Sequence, residues 1–598
     1  MIETKPRTLE LASRISARAL LLSLMRDWQG WSIGNGDGAS AADSGSPRHV
    51  LKLPLAGREI HVALTHLSQV GAHGLRPPFY EIGPEGAMRV VSFPELLNLI
   101  TAEPGIAGAD SDVRGLVFLR RALDSLATIE DALRHPCLGE AVFAERDPSF
   151  IEAEQALRFG HNVHPTPRSR DQFTLEDTRR FSPEYGRGFA LHWWSVSPQI
   201  VLQGSSRGQA ASEMAASLTI DDPAMEPAIR RQVDEGRVLL PMHPWQASQL
   251  MLDPAITRLM TAGDIRALGP AGSNWHATSS LRSIHAAHAA WMLKMSLNLR
   301  LTNSQRIIEP YECERGLEID KLLAGPVGQR IAARFPSFRV MGEPGYLALR
   351  DETGATLRST IVVFRDNPFS GDRQHSPVAV LAALCEIGPD GRSSALSTTI
   401  GRIASRQGSA PAATALAWFE RFLHNVALPL LGIQADHGLL FGAHQQNIVV
   451  GLDDGWPVTL HFRDCQGTGY VREFLPELAA QAPDVRLEAG HVFDSAYAAR
   501  LAGYYLIVNS VFSVIGALAL AGLASEERLL AALRAALLAL AAQPLRDRTC
   551  LDYLLTSPTL LSKGNFMICF RNINENTDVT DPLAGYVELP NPIAGARS

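Results

Sequence analysis

Over residues 291–302 the chain alternates without a break. Trp291, Leu293, Met295, Leu297, Leu299 and Leu301 fall on one side; Met292, Lys294, Ser296, Asn298, Arg300 and Thr302 fall on the other. A period of two sustained over that length predicts a β-strand with one buried and one polar face. Residues 279–285 can pair with it through a turn at 286–290, and a symmetric hairpin sets Arg282 opposite Lys294. Like charges placed opposite destabilise a sheet, so the pairing makes sense if an anion sits between them; alternatively both cations face water. Thr302-Asn303-Ser304-Gln305 matches a capping box and predicts a helix start after Thr302. Its free N–H groups, with Arg306 nearby, would make a second anion site.

A second constellation lies at 438–467. Residues 448–450 are β-rich, Asp453-Asp454-Gly455 signals a turn, and Val458, Leu460 and Phe462 alternate on the return. Such a hairpin brings the Asn447 amide near the Asp464 carboxylate, a hard-oxygen pair suited to Mg2+. The bland reading is a surface hairpin with polar ends, with His444 a satisfied half-buried histidine. The cluster of His444, Gln446, Asn447, Arg463 and Asp464 is harder to dismiss than any member. Two further motifs stand apart. His161 and His164 lie in a Gly/Pro loop ending at Arg168, which reads as an anion-binding loop. His243-Pro244-Trp245-Gln246 reads as a structural turn. Arg365, at the end of the β-rich run 361–364, is either a ligand contact or an ion-pair partner of Asp366.

The chain has 598 residues, enough for about two to four domains. Apolar residues at 46% and charged residues at 20% exclude disorder, collagen and coiled coil for the whole chain. A net charge of −7 gives no general reason to bind nucleic acid or an anionic membrane. The six cysteines are scattered, with no C-x-x-C, as in a reducing cytoplasm, and no signal peptide is visible.

Helical periodicity covers residues 9–28, a Gly/Ser-rich linker spans 34–47, and a hairpin occupies 51–64, with Pro54 placing its strand at a sheet edge. Helices dominate 93–158 and return from about Thr414, except around 438–470; the tail beyond Asp581 reads as irregular. Residues 501–525 carry no charge and could span a bilayer. Tyr504, Tyr505, Asn509, Ser510 and Ser513 within them, and the lack of a second such segment, favour a buried core helix.

Taken together, GHNVHPTPR (160–168), HPWQ (243–246), TSSLRS (278–283), the set Lys294, Thr302 and Arg306, FRDNP (364–368), HQQN (444–447) and RDCQG (463–467) resemble, in order, the aerobactin-type (IucA/IucC) synthetases. These make siderophores independently of non-ribosomal peptide synthetases. SKGNF (562–566) extends the likeness. Two departures stand out: Gly442 replaces a family Glu, and Asn162 and Arg168 replace Pro and Lys. The resemblance implies an α+β multidomain fold shaped as a cupped hand: a thumb at 1–159, fingers at 160–405 and a largely helical palm at 406–598. It implies ATP-dependent adenylation of citrate or a related polycarboxylate, then condensation with an amine, hydroxylamine or amino-alcohol. It also implies a cytoplasmic homodimer, binding neither nucleic acid nor membrane. Site roles carry over as follows. His164, Arg168, Ser280, Arg282, Lys294 and Arg365 would hold ATP. Thr302, Arg306, His444 and Gln446 would bind the acid. Asn447 and Asp464 would hold Mg2+, and Arg282, Lys294, Arg306 and His444 would be catalytic. The competing readings are a ferric-siderophore reductase or iron-binding protein, and a phosphotransferase using the Asn447/Asp464 pair.

Overall fold

The computed structural model describes residues 4–35, 49–83, 86–108, 111–136, 138–482, 491–574 and 583–596. The expected multidomain α+β architecture forms around several apolar cores. Most of the 34–47 linker, and Cys137, lie outside the described residues.

The N-terminal core joins the helices Thr4–Asp27 and Ser111–Arg134 to a five-stranded antiparallel sheet. The hairpin expected at 51–64 forms from His49–Leu55 and Arg58–His66, turning at Ala56-Gly57 with both φ positive (50° and 75°). Right-handed strand twist selects that turn geometry. The strand of Pro54 is not an edge strand, since Ser32–Asn35 pairs on its other side. That pairing stops at Lys52, so the missing N–H of Pro54 costs no ladder bond there. Phe566, Cys569 and Phe570, from the other end of the chain, complete this core.

The central layer is an eight-stranded sheet. The long alternating run does not form one strand. It breaks at Ser296 into Trp291–Met295, inside the large sheet, and Leu297–Leu301, which turns at Thr302-Asn303 into the short strand Ser304–Arg306. The helix expected after Thr302 is therefore absent; Thr302 takes φ 53°, a turn conformation, and the next helix begins at Pro310. The polar face is also dry at one end, since Met292, Lys294 and Ser296 are as buried as their apolar neighbours. Residues 283–285 do pair with 291–295 through the expected turn, which Asn367 Nδ2 holds by donating to the Ala286 and Ala289 carbonyls (3.0 and 2.8 Å). The register, however, sets Ser283, not Arg282, opposite Lys294.

The C-terminal core is largely helical and includes the hairpin Ile448–Asp453/Trp456–Phe462, turned at Asp454-Gly455 as expected. Ser495–Leu520 is one continuous helix with a π-helical stretch at Gly503–Val511. It is the one described helix long and apolar enough to cross a membrane, and 89% of its most apolar window is buried in the protein interior. The tail is ordered where described: Tyr586–Pro590 pairs with Thr559–Lys563, and Pro592–Gly595 is helical. Backbone pairing between these two strands overrides a locally irregular composition.

Candidate active site

Six segments, together with Ala382, line a cavity of about 260 Å³. They are the loop after Leu157, the 279–281 turn, the 301–306 hairpin, the 444–446 loop, the 504–509 helix and residues 563–565. Arg168, Arg170, Arg306 and Lys563 line it together with His161, His164 and His444. No aspartate or glutamate is on its wall among the described residues. In a chain of net charge −7 this is a local reversal of sign, and a wall with several cations and no carboxylate among its described residues suits a small anion.

Each wall is held in place by buried polar chemistry. Gly160 takes φ 85°, and a Cβ there would meet the Pro167 carbonyl at 2.7 Å. The Glu386 carboxylate accepts the N–H groups of Arg158, Phe159 and Gly160 (2.9, 2.6 and 2.8 Å), fixing the start of the histidine loop. His164 Nδ1 accepts the Thr166 N–H (3.1 Å), so Nε2 carries the proton and donates to Asn303 Oδ1 (3.1 Å). Burial, then the charges of His161 and Arg121, push the His164 pKa well below its ordinary value. His161 falls to about 3 and His444 to about 4, burial again leading. All three rings are thus neutral near pH 7. Arg168 faces Glu184 (3.7 Å) at the back of the wall and donates to the Leu157 carbonyl. The hairpin that replaces the expected helix presents Thr302 and Arg306 together, with the Arg306 guanidinium donating to Thr302 Oγ1 and the Leu301 carbonyl (both 3.3 Å). Arg121 secures this turn by donating to the Thr302 carbonyl.

Beside the cavity lies a buried charge cluster. Trp291–Met295 pairs with Thr356–Asp366 so that Lys294 opposes Val363 and Met292 opposes Arg365. Lys294 and Arg365 are therefore diagonal neighbours on one face. Glu343 accepts from both, at 3.2 Å from Lys294 and 2.5 Å from Arg365, and Lys294 also pairs with Asp464. Arg365 does not pair with Asp366, which instead binds Arg207. Burial alone would raise the Asp464 carboxyl, but Lys294, Arg365 and Arg282 hold it far below the usual carboxylate range.

Of the residues expected from sequence, His164, Arg168, Ser280, Thr302, Arg306, His444 and Gln446 line the cavity. Lys294, Arg365 and Asp464 form the adjoining cluster, within whose field Arg282 lies; they and Asn447 are not on the cavity wall. As a metal pair Asn447 and Asp464 are a partial fit. The Asn447 amide nitrogen is taken by the Gly442 carbonyl (3.0 Å), leaving its oxygen end for a cation, while Asp464 already pairs with Lys294. Among the described residues no three His, Cys, Asp or Glu side chains form a metal cluster. Mg2+ usually keeps few protein ligands and arrives with phosphates, so the oxygen donors suit a cation brought by a nucleotide. His243 and Gln246 are structural: His243 caps a helix, and Gln246 bonds Ser359 and Asn298 across the sheet. Sequence reasoning missed Asn303, Lys563, Asn565, Tyr504, Tyr505 and Asn509 as wall residues. The polar interruptions of the apolar helix were the available signal for the last three.

A cavity with four cations and no carboxylate among its described lining residues, beside a lysine–arginine–carboxylate cluster, has the donor set that a small multiply charged anion would need. Residues 149–386 match the model of the IucA / IucC family, and residues 416–578 match that of the ferric iron reductase FhuF-like transporter family. The chain is 35% identical to N(2)-citryl-N(6)-acetyl-N(6)-hydroxylysine synthase of Vibrio mimicus, over 92% of this chain and 91% of that one. It is 29% identical to spermidine-citrate ligase of Bacillus anthracis over 86% and 85% of the two chains. The solved structure of ATP-bound aerobactin synthetase IucA from Klebsiella pneumoniae superposes with a TM-score of 0.88 at 31% identity, covering 97% of this chain and 99% of that one. This chain belongs to the IucA/IucC family of siderophore synthetases.

Proposed function

We propose that the protein is an ATP-dependent ligase that adenylates a carboxylate of citrate and condenses it with an amine to form an amide. The observation that carries this reading is the acid-free wall shared by Arg306 and His444 next to the Lys294 cluster. A carboxylate oxygen attacks the α-phosphorus, the bond to the bridging oxygen breaks, and pyrophosphate leaves. The amine nitrogen then attacks the acyl carbon, AMP leaves, and the amine gives up a proton. Ser280, Arg282 and Lys294 hold phosphate oxygens as charge builds on them, and His164 joins them by exchanging its Asn303 hydrogen bond for one to phosphate, with Arg168 behind and Arg365 beside Lys294 through the shared Glu343, near the nucleotide. Thr302, Arg306, His444 and Gln446 bind the acid. Asn447 and Asp464 would hold Mg2+, which neutralises phosphate charge when bound.

The wall also bears on the amine. With no carboxylate facing the cavity among the described residues, an amine that carries its own carboxylate is favoured over a polyamine. The sections 1–159, 160–405 and 406–598 serve as thumb, fingers and palm of a cytoplasmic enzyme. The FhuF-like match raises a reductase reading, but Cys550 and Cys569 sit in different cores and both thiols are raised by burial, leaving no paired thiolates for an iron–sulfur centre there. A nucleotide chromatogram with and without citrate tests the proposal. AMP and pyrophosphate that depend on citrate support it; ADP indicates a phosphotransferase instead.

A further inference from the structure

Glu154 and Arg463 line no part of the cavity, yet they tie two of its walls together. Glu154 belongs to the helix Phe150–Gln155, and Arg463 follows the strand Trp456–Phe462. Their side chains are 0% and 3% exposed and form an ion pair. The Glu154 Oε2 accepts the Ser279 N–H at 2.7 Å. The Arg463 guanidinium donates twice to the Gln446 carbonyl (3.0 and 2.7 Å) and once to Ser279 Oγ (3.3 Å). The Gln446 amide closes the ring by donating to Ser279 Oγ at 3.3 Å.

One buried pair thus grips the turn that carries Ser279 and Ser280 and the loop that carries His444 and Gln446. We propose that Glu154 and Arg463 are positioning residues that set the phosphate-binding turn against the acid-binding loop, so that the acid's carboxylate meets the α-phosphorus. This rests on the ligase reading above. A buried ion pair is weak evidence for stability as such, and these donors converge on two segments that touch the cavity. The planar fork of arginine can serve Ser279 and Gln446 at once, whereas a lysine ammonium offers one point of charge.

The test compares wild type, Arg463→Lys, and the double variant Glu154→Gln/Arg463→Met, which removes both buried charges so that neither is stranded. Hydrogen exchange is followed on peptides covering 276–284 and 441–448. AMP formation is measured against ATP and citrate, with rates normalised to the fraction that binds nucleotide by calorimetry. The expected result is faster exchange in both peptides together. It is accompanied by a kcat drop of about 100-fold, the cost of a small misalignment of reacting groups, with each KM within about threefold. Arg463→Lys restores neither. Unchanged exchange in both peptides, or full kcat in Arg463→Lys, overturns the proposal. If wild type forms no AMP with citrate, the ligase reading fails, and the exchange measurement still decides whether the pair holds the two loops.

Discussion

The Arg306 guanidinium and the His444 imidazole, far apart in sequence, face one cavity, and burial, assisted by surrounding cations that include Arg306, keeps the ring neutral. The ring and guanidinium can therefore approach the same anion without two fixed charges repelling one another.

Lys294 is held between Glu343 and Asp464 in the sheet interior. Lys294→Met leaves two buried carboxylates with less compensation and is expected to destabilise the protein by about 3–5 kcal/mol. Adding Asp464→Asn should recover part of that loss. Urea unfolding of the two single variants and the double variant measures the coupling; strict additivity would contradict it.

Acid should weaken the fold through buried neutral histidines. Burial holds His161 and His243 at about 3 and His285, His444 and His461 at about 4. Below the unfolded value near 6.5 the unfolded chain binds more protons, so stability falls as pH drops from about 6.5 towards 4. At pH 5.5 each such histidine costs on the order of 1 kcal/mol. Tm should be flat from pH 8 to 7 and fall steadily from 6.5 to 5; a Tm that holds at pH 5 contradicts this.

Magnesium dependence should run through Asp464. Chelation is expected to abolish AMP formation, and Asp464→Asn to raise the Mg2+ required for half-maximal rate by about 10-fold or more. An Asp464→Asn variant with an unchanged Mg2+ titration would remove that residue from the metal's surroundings.

An amine screen addresses the acid-free wall. An amino acid or its hydroxamate derivative should exceed spermidine in kcat/KM by about 10-fold, the equivalent of about 1.4 kcal/mol. A preference for spermidine would point to an acidic subsite elsewhere.

Most of the cavity was legible because its residues recur in short motifs, and the Asp454-Gly455 turn announces the hairpin that delivers Asn447 and Asp464. Four features were not, or only in part. The residues at 302–305 satisfy a capping box on paper, but the backbone turns at Thr302-Asn303 into a two-stranded hairpin, a choice made by packing and by Arg121. Alternation located a polar face without saying that Glu343 and Asp464 would cover it, so Lys294 reads as exposed when it is buried. Hairpin symmetry placed Arg282 one residue away from the true register, in which Ser283 faces Lys294. The far wall, from Tyr504 to Asn565, showed locally only as polar interruptions of an apolar helix and as the SKGNF motif; that they meet across the cavity depends on contacts between distant segments.

Citrate-dependent AMP formation by wild type and Arg306→Ala, at matched folded fraction and with nucleotide binding followed by calorimetry, bears most directly on a shared cavity. The expected result is AMP that rises with citrate in wild type and falls at least about 100-fold in Arg306→Ala, while nucleotide binding persists. Wild-type AMP formation indifferent to citrate, or an undiminished citrate-dependent rate in Arg306→Ala, would contradict it.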